Sequence, residues 1–446
     1  MKKTLLSILS LLITLCSFSQ GIQFEHGTWT EVLEKAKISQ KPIFIDVFTT
    51  WCGPCNMMSN EVFPLAEVGK VYNTNFICYK VDAEKGEGAI IANQYAVNAF
   101  PTYLFLKADK SLIMKSVGRM PADKFISLSE NVKEELGTSK TITVWDKEYV
   151  QKKSDSSFLL AYMHKRSRLG MKNAALFDEY LTLLPNEKRA TKDVIELYKQ
   201  EGENLKITSV AYKNLQTNAF VLYPQLGGYS NSILSFAVEN SFKEAIKTKN
   251  ELLLQQVIDA NENIPKIQQP KQKEEFYIGY YKGTKEIDKY VSHATTYSET
   301  TLMTVSLDTI EKQDKANYQI FEQSKGLYLS MMKDSARVKE LGDYMAHTIH
   351  SKYSEALNDI AWGFFENVSD TKALENALRW SKRSLEIYPS EESADTYANL
   401  LYKLGRKEEA IIKEKEALEI AKTKKSETKS YEDVIKKMKA GEKTWK

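Results

Sequence analysis

Apolar and polar positions are patterned differently in the two parts of this chain. IFIDVF, Ile43 to Phe48, is apolar except for one aspartate, as expected of a central strand covered on both faces. Phe76 to Val81 predicts a second strand and YLFL, Tyr103 to Leu106, a third. The turn residues Lys107 to Lys110 then lead into SLIMKSVG, which completes a hairpin. Helical spacing appears at Thr30 to Ser39, after Cys55, at Gly88 to Tyr95 and at Ala122 to Glu134. The predicted order is helix, strand, helix, strand, helix, strand, strand, helix, a small α/β domain ending near Leu136 to Ser139.

Beyond Lys140 the strand-like alternation gives way to paired amphipathic helices with short turns, for example Phe158 to Arg166 and Asn173 to Leu184, the latter stopped by Pro185. Ile264 to Lys273, with Pro265 and Pro270, reads as a joint between helical blocks. The clearest period comes last. Ala377 and Ala410 are 33 residues apart, and each is followed seven residues later by a small residue, Ser384 or Ala417. Gly405 and Pro389 mark the intervening turns. From about Tyr353 to Ala421 this spacing resembles the tetratricopeptide repeat, a stacked helical pair of about 34 residues. The expected organisation is a signal peptide over 1–20, an α/β domain over 21–138, an α-helical region over 139–340, tetratricopeptide-like repeats over 341–425 and a tail over 426–446.

The chain has 446 residues, 42% of them hydrophobic and 27% charged, which suits a globular protein of two or more domains. Its 62 Lys+Arg against 59 Asp+Glu leave a net charge of +3, too little to point to nucleic acid as a partner. Lys2 and Lys3, the apolar run Leu5 to Leu15 and the small or polar stretch Ser17 to Gly21 form the pattern of a secretory signal peptide. A run of about a dozen residues is short of the roughly 20 that a spanning helix needs. The mature chain is therefore expected outside the cytoplasm, where disulfides persist.

Four cysteines are present, and Cys16 leaves with the signal. Cys52 and Cys55 stand two residues apart directly behind the Ile43 to Phe48 strand. A zinc site would need further ligands, and only Cys78 and His26 are nearby, so no metal is expected. A structural staple closing so small a loop would constrain little of the unfolded chain. Redox chemistry fits better. A CxxC after a strand and at the start of a helix places its first sulfur by unpaired N–H groups and the positive helix end, both of which favour the thiolate. Cys52 would attack a substrate disulfide and Cys55, one turn on, would displace the product. That requires Cys52 to be accessible to the substrate. Gly53 allows close backbone approach, and Pro54 suits a first helical turn because it lacks an N–H that would go unpaired there. Cys78 reads as a small core residue. His347 and His350 share a helix face with no evident carboxylate partner, and the aromatic cluster Phe276, Tyr277, Tyr280 and Tyr281 reads as packing.

WCGPC, Trp51 to Cys55, resembles the active-site motif of the thioredoxins, and the supporting residues match in order from about Phe24 to Glu135. The resemblance implies that Asp46 is a buried carboxylate handling the proton of Cys55, that Lys80 pairs with Asp46, and that Pro101, after Phe100, is cis and faces the sulfurs. Gly118 matches the glycine after the hairpin. Trp51, Gly53, Pro54, Phe100 and Pro101 would form the substrate-contacting surface. Phe100 is bulkier than the residue many relatives carry there, and Asn56 replaces a frequent cation, so substrate preference and redox poise do not carry over.

The resulting expectation is a thioredoxin-fold domain followed by an all-α helical-repeat domain, acting as a periplasmic thiol-disulfide oxidoreductase of a Gram-negative bacterium. The Gly-Pro dipeptide resembles that of the reducing members of the family, which implies disulfide reduction in protein substrates. No cofactor is expected beyond the redox-active Cys52–Cys55 disulfide. A separate electron donor, a membrane thiol carrier, is implied, and the helical repeats would hold a protein ligand. The alternatives are a helical scaffold or chaperone with a redox-sensitive module, and an isomerase or oxidase.

Overall fold

The computed structural model describes residues 21–264, 271–332, 334–424 and 426–445. The signal-peptide segment and the prolines of the expected joint, Pro265 and Pro270, lie outside the described residues. The chain divides into two compact units, one up to Ala237 and one from Val238.

The first unit opens with strand β1 (Phe24–Glu25), helix α1 (Trp29–Ser39), strand β2 (Ile43–Phe48) and helix α2 (Gly53–Met57), which runs on as a π turn, Met58–Val62. Then follow α3 (Ala66–Asn75), β3 (Ile77–Asp82), α4 (Gly86–Gln94), β4 (Thr102–Leu106), β5 (Leu112–Val117) and α5 (Ala122–Gly137). The strands form one sheet in the order β1-β3-β2-β4-β5, with β1, β3 and β2 parallel and β4 and β5 antiparallel.

Alternation along β2 explains how its apolar run is used. Ile43, Ile45 and Val47 face a cluster with Val32 and Ala36 of α1 and Ile91 of α4. Phe44 faces the opposite cluster, where it meets Tyr72, Phe105 and Phe125. Tyr72 stacks on Phe125 with ring centroids 4.4 Å apart, and its hydroxyl donates to the Phe125 carbonyl at 2.7 Å. Each such ring contributes about 1.5–3 kcal/mol through burial. Together they fix the floor on which the helix after Cys52 rests, because Met58 and Phe63 belong to the same cluster.

Two local features differ from the expected elements. Strand β1 is only two residues long, too short to show alternation, and exists by pairing with β3. The helix after Cys55 is broken: the π turn ends at Val62, and α3 starts only after Phe63, Pro64 and Leu65. Pro64 has no N–H to continue the ladder and disfavours helical geometry in the residue before it.

Helices α6 (Ile142–Lys152), α7 (Ser156–Arg168), α8 (Ala174–Leu183), α9 (Lys192–Glu201), α10 (Val210–Thr217) and α11 (Ala219–Leu226) follow in the same unit. The first two of these are built onto the α/β core. Leu169 and Ile142 pack into its aromatic cluster, and the Lys165 ammonium forms a buried ion pair with Glu135 of α5. Gly170, at φ +71°, ends α7 against β5; a Cβ there would lie 1.9 Å from the Lys115 carbonyl oxygen.

Helix α12 (Tyr229–Thr248) contains the division between the units. The second unit continues with α13 (Glu251–Glu262), α14 (Lys273–Thr284), α15 (Ile287–Tyr297), α16 (Leu307–Met332), α17 (Ser335–Met345), α18 (Thr348–Asn367), α19 (Thr371–Ile387), α20 (Glu391–Lys403), α21 (Lys407–Lys424) and α22 (Lys429–Ala440). Ala377, Ser384, Ala410 and Ala417 are all fully buried, which is what close approach of paired helices requires. Within the aromatic cluster, Phe276, Tyr280 and Tyr281 are buried. His350 does have a carboxylate partner: Asp314, 36 residues earlier on α16, lies 2.5 Å from its Nδ1 and also accepts from the Ile349 and His350 amides. Spacing along one helix does not reveal such a partner. Among the described residues no helix is long and apolar enough to cross a membrane.

Candidate active site

Strand β2 ends at Phe48, and Thr49 to Trp51 carry the chain off the sheet, so that Cys52 becomes the N-cap of α2. Cys52 and Cys55 are joined in a disulfide. The Cys55 amide donates to Cys52 Sγ at 3.1 Å, and the Asn56 amide donates to the Cys52 carbonyl at 3.1 Å. The Cys52 sulfur thus sits where a helix offers unpaired N–H groups and partial positive charge.

The oxidised pair is nearly covered, with Cys52 4% and Cys55 3% exposed. The expected openness of Cys52 is therefore not met in this structure, in which the two sulfurs are joined. The rim is open instead. Trp51 is 68% exposed, Gly53 and Pro54 are exposed, and a Cβ placed on Gly53 would meet nothing within 4 Å. Trp51 packs edge-on against Phe100 at 6.0 Å, and the Phe100–Pro101 peptide is cis. Gly118, at φ +96°, donates its amide to the Pro101 carbonyl at 2.8 Å, a conformation that glycine adopts without strain.

Asp46 faces the aromatic side of the sheet, the side that carries α2. It is 1% exposed, and its Oδ2 lies 3.3 Å from Lys80 Nζ on the neighbouring strand β3. Its Oδ1 has no hydrogen-bond partner. Burial pushes the Asp46 carboxyl up to about 6, against the pull of Lys80. Tyr103, opposite Asp46 on β4, also has a buried hydroxyl without a partner, and burial together with the Asp46 charge raises its pKa. A carboxyl poised near neutrality beneath the cysteine helix is suited to taking up and returning a proton.

Two residues that sequence reasoning did not single out join the site. Ser59, in the π turn after α2, accepts from Lys80 Nζ at 2.6 Å and so ties the Asp46 partner to the helix that carries Cys55. Glu84 accepts from the Trp51 indole at 3.0 Å. Glu84 stands between β3 and α4, and pairing over 33 positions has no local signature. Lys80 Nζ also lies 4.8 Å from the Phe48 ring centroid. Cys78 is apart from this chemistry: it is 2% exposed, and burial pushes its thiol up to about 12.

The sheet order and a disulfide at a helix N-cap define a thioredoxin-type redox fold. Residues 29–133 match the Thioredoxin-like domain family. Thioredoxin H4 of Arabidopsis thaliana is 37% identical over 98 residues, which cover 22% of this chain and 77% of the relative. The chain belongs to the thioredoxin family. Thioredoxin Y, chloroplastic, of Oryza sativa subsp. japonica is 36% identical over 108 residues, 24% of this chain and 59% of the relative; this chain thus spans little more than half of that protein. The solution structure of a Bacteroides thetaiotaomicron protein described as a disulphide-isomerase is 36% identical, with 26% of this chain and 95% of that one covered and a TM-score of 0.25.

Proposed function

We propose that the protein is an exported thiol-disulfide oxidoreductase that reduces disulfides in protein substrates. The observation that carries this reading is the Cys52–Cys55 disulfide at the start of α2, with the buried Asp46 and its Lys80 partner beneath that helix.

In the reduced enzyme the Cys52 thiolate is favoured by the helix N-terminus. It attacks one sulfur of a substrate disulfide; a bond forms between Cys52 and that sulfur, and the second substrate sulfur leaves as a thiolate. Cys55 then gives its proton to Asp46 and attacks the Cys52 sulfur. The enzyme disulfide forms and the remaining substrate thiolate departs. The substrate gains two electrons and the enzyme dithiol loses two. No cofactor enters these steps. Returning the enzyme to its dithiol form takes two electrons from a separate donor, a membrane thiol carrier. Phe100 and Trp51 form the apolar rim on which a substrate chain settles, beside the open Gly53.

The N-terminal pattern supports export to the periplasm of a Gram-negative bacterium, and the buried small residues of α19 and α21 support tetratricopeptide-like repeats in the second unit. Insulin reduction in the presence of dithiothreitol tests the activity. The full chain is expected to accelerate precipitation of the insulin B chain, and Cys52→Ser to abolish the acceleration. A wild-type rate equal to dithiothreitol alone would remove the reductase reading. A reduction potential near those of periplasmic oxidants would point to an oxidase or isomerase, and a cellular effect unchanged by Cys52→Ser would point to a scaffold or chaperone.

A further inference from the structure

Lys80 Nζ has two polar partners of different kinds, and its distances to them are the reverse of what charge alone gives. It lies 3.3 Å from Asp46 Oδ2 and 2.6 Å from Ser59 Oγ. An ammonium bonded to a carboxylate closes to about 2.7–2.9 Å, because a charge-assisted bond is stronger than one to a neutral hydroxyl. Here the hydroxyl takes the short contact. The buried carboxylate keeps the long one, and its Oδ1 has no partner.

The packing on either side explains the reversal. Ser59 stands four positions after Cys55, which places the two on one face of the cysteine helix. It belongs to the π turn Met58–Val62, and Met58 and Phe63, at the start and just after the end of that turn, are buried in the aromatic cluster. The ammonium is held as firmly. Lys80 Nζ lies 4.8 Å from the ring centroid of Phe48 on β2, 5.5 Å from that of Phe63 and 5.8 Å from that of Phe24 on β1. Three rings thus keep it between the two oxygens.

Other titratable groups on this side of the sheet are engaged elsewhere. The Tyr103 hydroxyl on β4 and the Cys78 thiol on β3 are both raised by burial and stay neutral at pH 7, and Tyr72 of α3 donates to the Phe125 carbonyl. Lys41, ahead of β2, donates to the Asn73 carbonyl. Glu25 of β1 pairs with Lys35, Glu61 of the π turn with Arg119, and Glu135 of α5 with Lys165. Lys80 is therefore the charge that acts on Asp46, and Ser59 is its competitor.

We propose that Ser59 is a positioning residue of the redox site: its hydroxyl draws the Lys80 ammonium away from Asp46 and so sets the pH at which Asp46 exchanges a proton with Cys55. The proposal rests on the redox reading above. As the Cys55 sulfur attacks Cys52 and the substrate thiolate leaves, the Cys55 proton passes to the Asp46 carboxylate, and a closer ammonium would make that carboxylate a weaker base. Closing the pair from 3.3 Å to about 2.8 Å, at an effective dielectric constant of about 20, lowers the Asp46 midpoint by roughly 0.6 in pH.

The test is the titration of Asp46 in the oxidised full chain, followed by carbon-13 NMR of γ-labelled aspartate from pH 4 to 8, with its signal identified by loss in Asp46→Asn. Ser59→Ala is expected to lower the midpoint by roughly half a pH unit, and Ser59→Thr, which keeps the hydroxyl, to retain the wild-type value. In a Lys80→Met background Ser59→Ala should move nothing, because the hydroxyl acts through the ammonium. The acid limb of insulin reduction against pH should fall with the midpoint in Ser59→Ala. An unchanged or raised midpoint, an equal fall in the Lys80→Met background, or an unmoved acid limb would overturn the proposal. The titration needs no substrate, so a wild type that does not reduce insulin would remove the redox reading while the midpoints still decide whether Ser59 holds Lys80 off Asp46.

Discussion

Asp46→Asn gives a prediction whose sign and size follow from the geometry. Asp46 is buried, Lys80 is 3.3 Å away, and burial raises its carboxyl from the ordinary 3.8 to about 6. Between these values the folded protein keeps a proton that the unfolded chain has lost. The contribution to stability is complete below pH ~4 and disappears as pH rises through about 6. A separation of about 2 in pKa, at ~1.4 kcal/mol each, amounts to ~3 kcal/mol against the folded state at pH 8. An asparagine never carries that charge, while Lys80 keeps its bond to Ser59 and is 25% exposed to water. The variant should therefore be about 2–3 kcal/mol more stable than the wild type at pH 8, with the gain vanishing near pH 4. Hydrogen exchange of peptides covering β2 and β4, measured in urea on the oxidised proteins from pH 4 to 8, reads the domain without interference from the second unit. Parallel pH profiles for the two proteins would refute the reasoning. The same substitution should slow disulfide reduction at pH 7 by a factor on the order of 10², because the proton acceptor for Cys55 is gone.

Lys165→Ala leaves Glu135 charged and buried, and should cost about 3–5 kcal/mol in urea unfolding, while replacing both partners with apolar residues of similar volume should restore most of it. Cys78, whose thiol is pushed up to about 12 by burial, should remain unlabelled by iodoacetamide at pH 8 in the native reduced protein while Cys52 reacts; labelling at comparable rates would contradict its place in the core.

Where a structural element has its own local signal, it was legible in the sequence. β2 occupies Ile43–Phe48 as its apolar run implies, and β3, the hairpin and α5 lie within a residue or a few of their expected positions. WCGPC marked the cysteine site, and Asp46 and Lys80 do meet. Long-range pairing that the family resemblance does not carry was not legible. The two residues of β1 are strand only because β3 lies beside them, and Ser59 joins Lys80 across 21 positions. The same holds for His350 and Asp314, and for Lys165 and Glu135. The near-complete cover over Cys52 also escaped the sequence, because burial of a side chain at a helix start is decided by tertiary packing.

The central claim is tested most directly by trapping. With Cys55→Ser, the protein reduced and then exposed to a disulfide-bonded protein substrate should accumulate a mixed disulfide at Cys52, visible as a mass adduct that dithiothreitol releases and that Cys52→Ser cannot form. An adduct on Cys78, or no adduct while the wild type reduces the same substrate, would contradict the account.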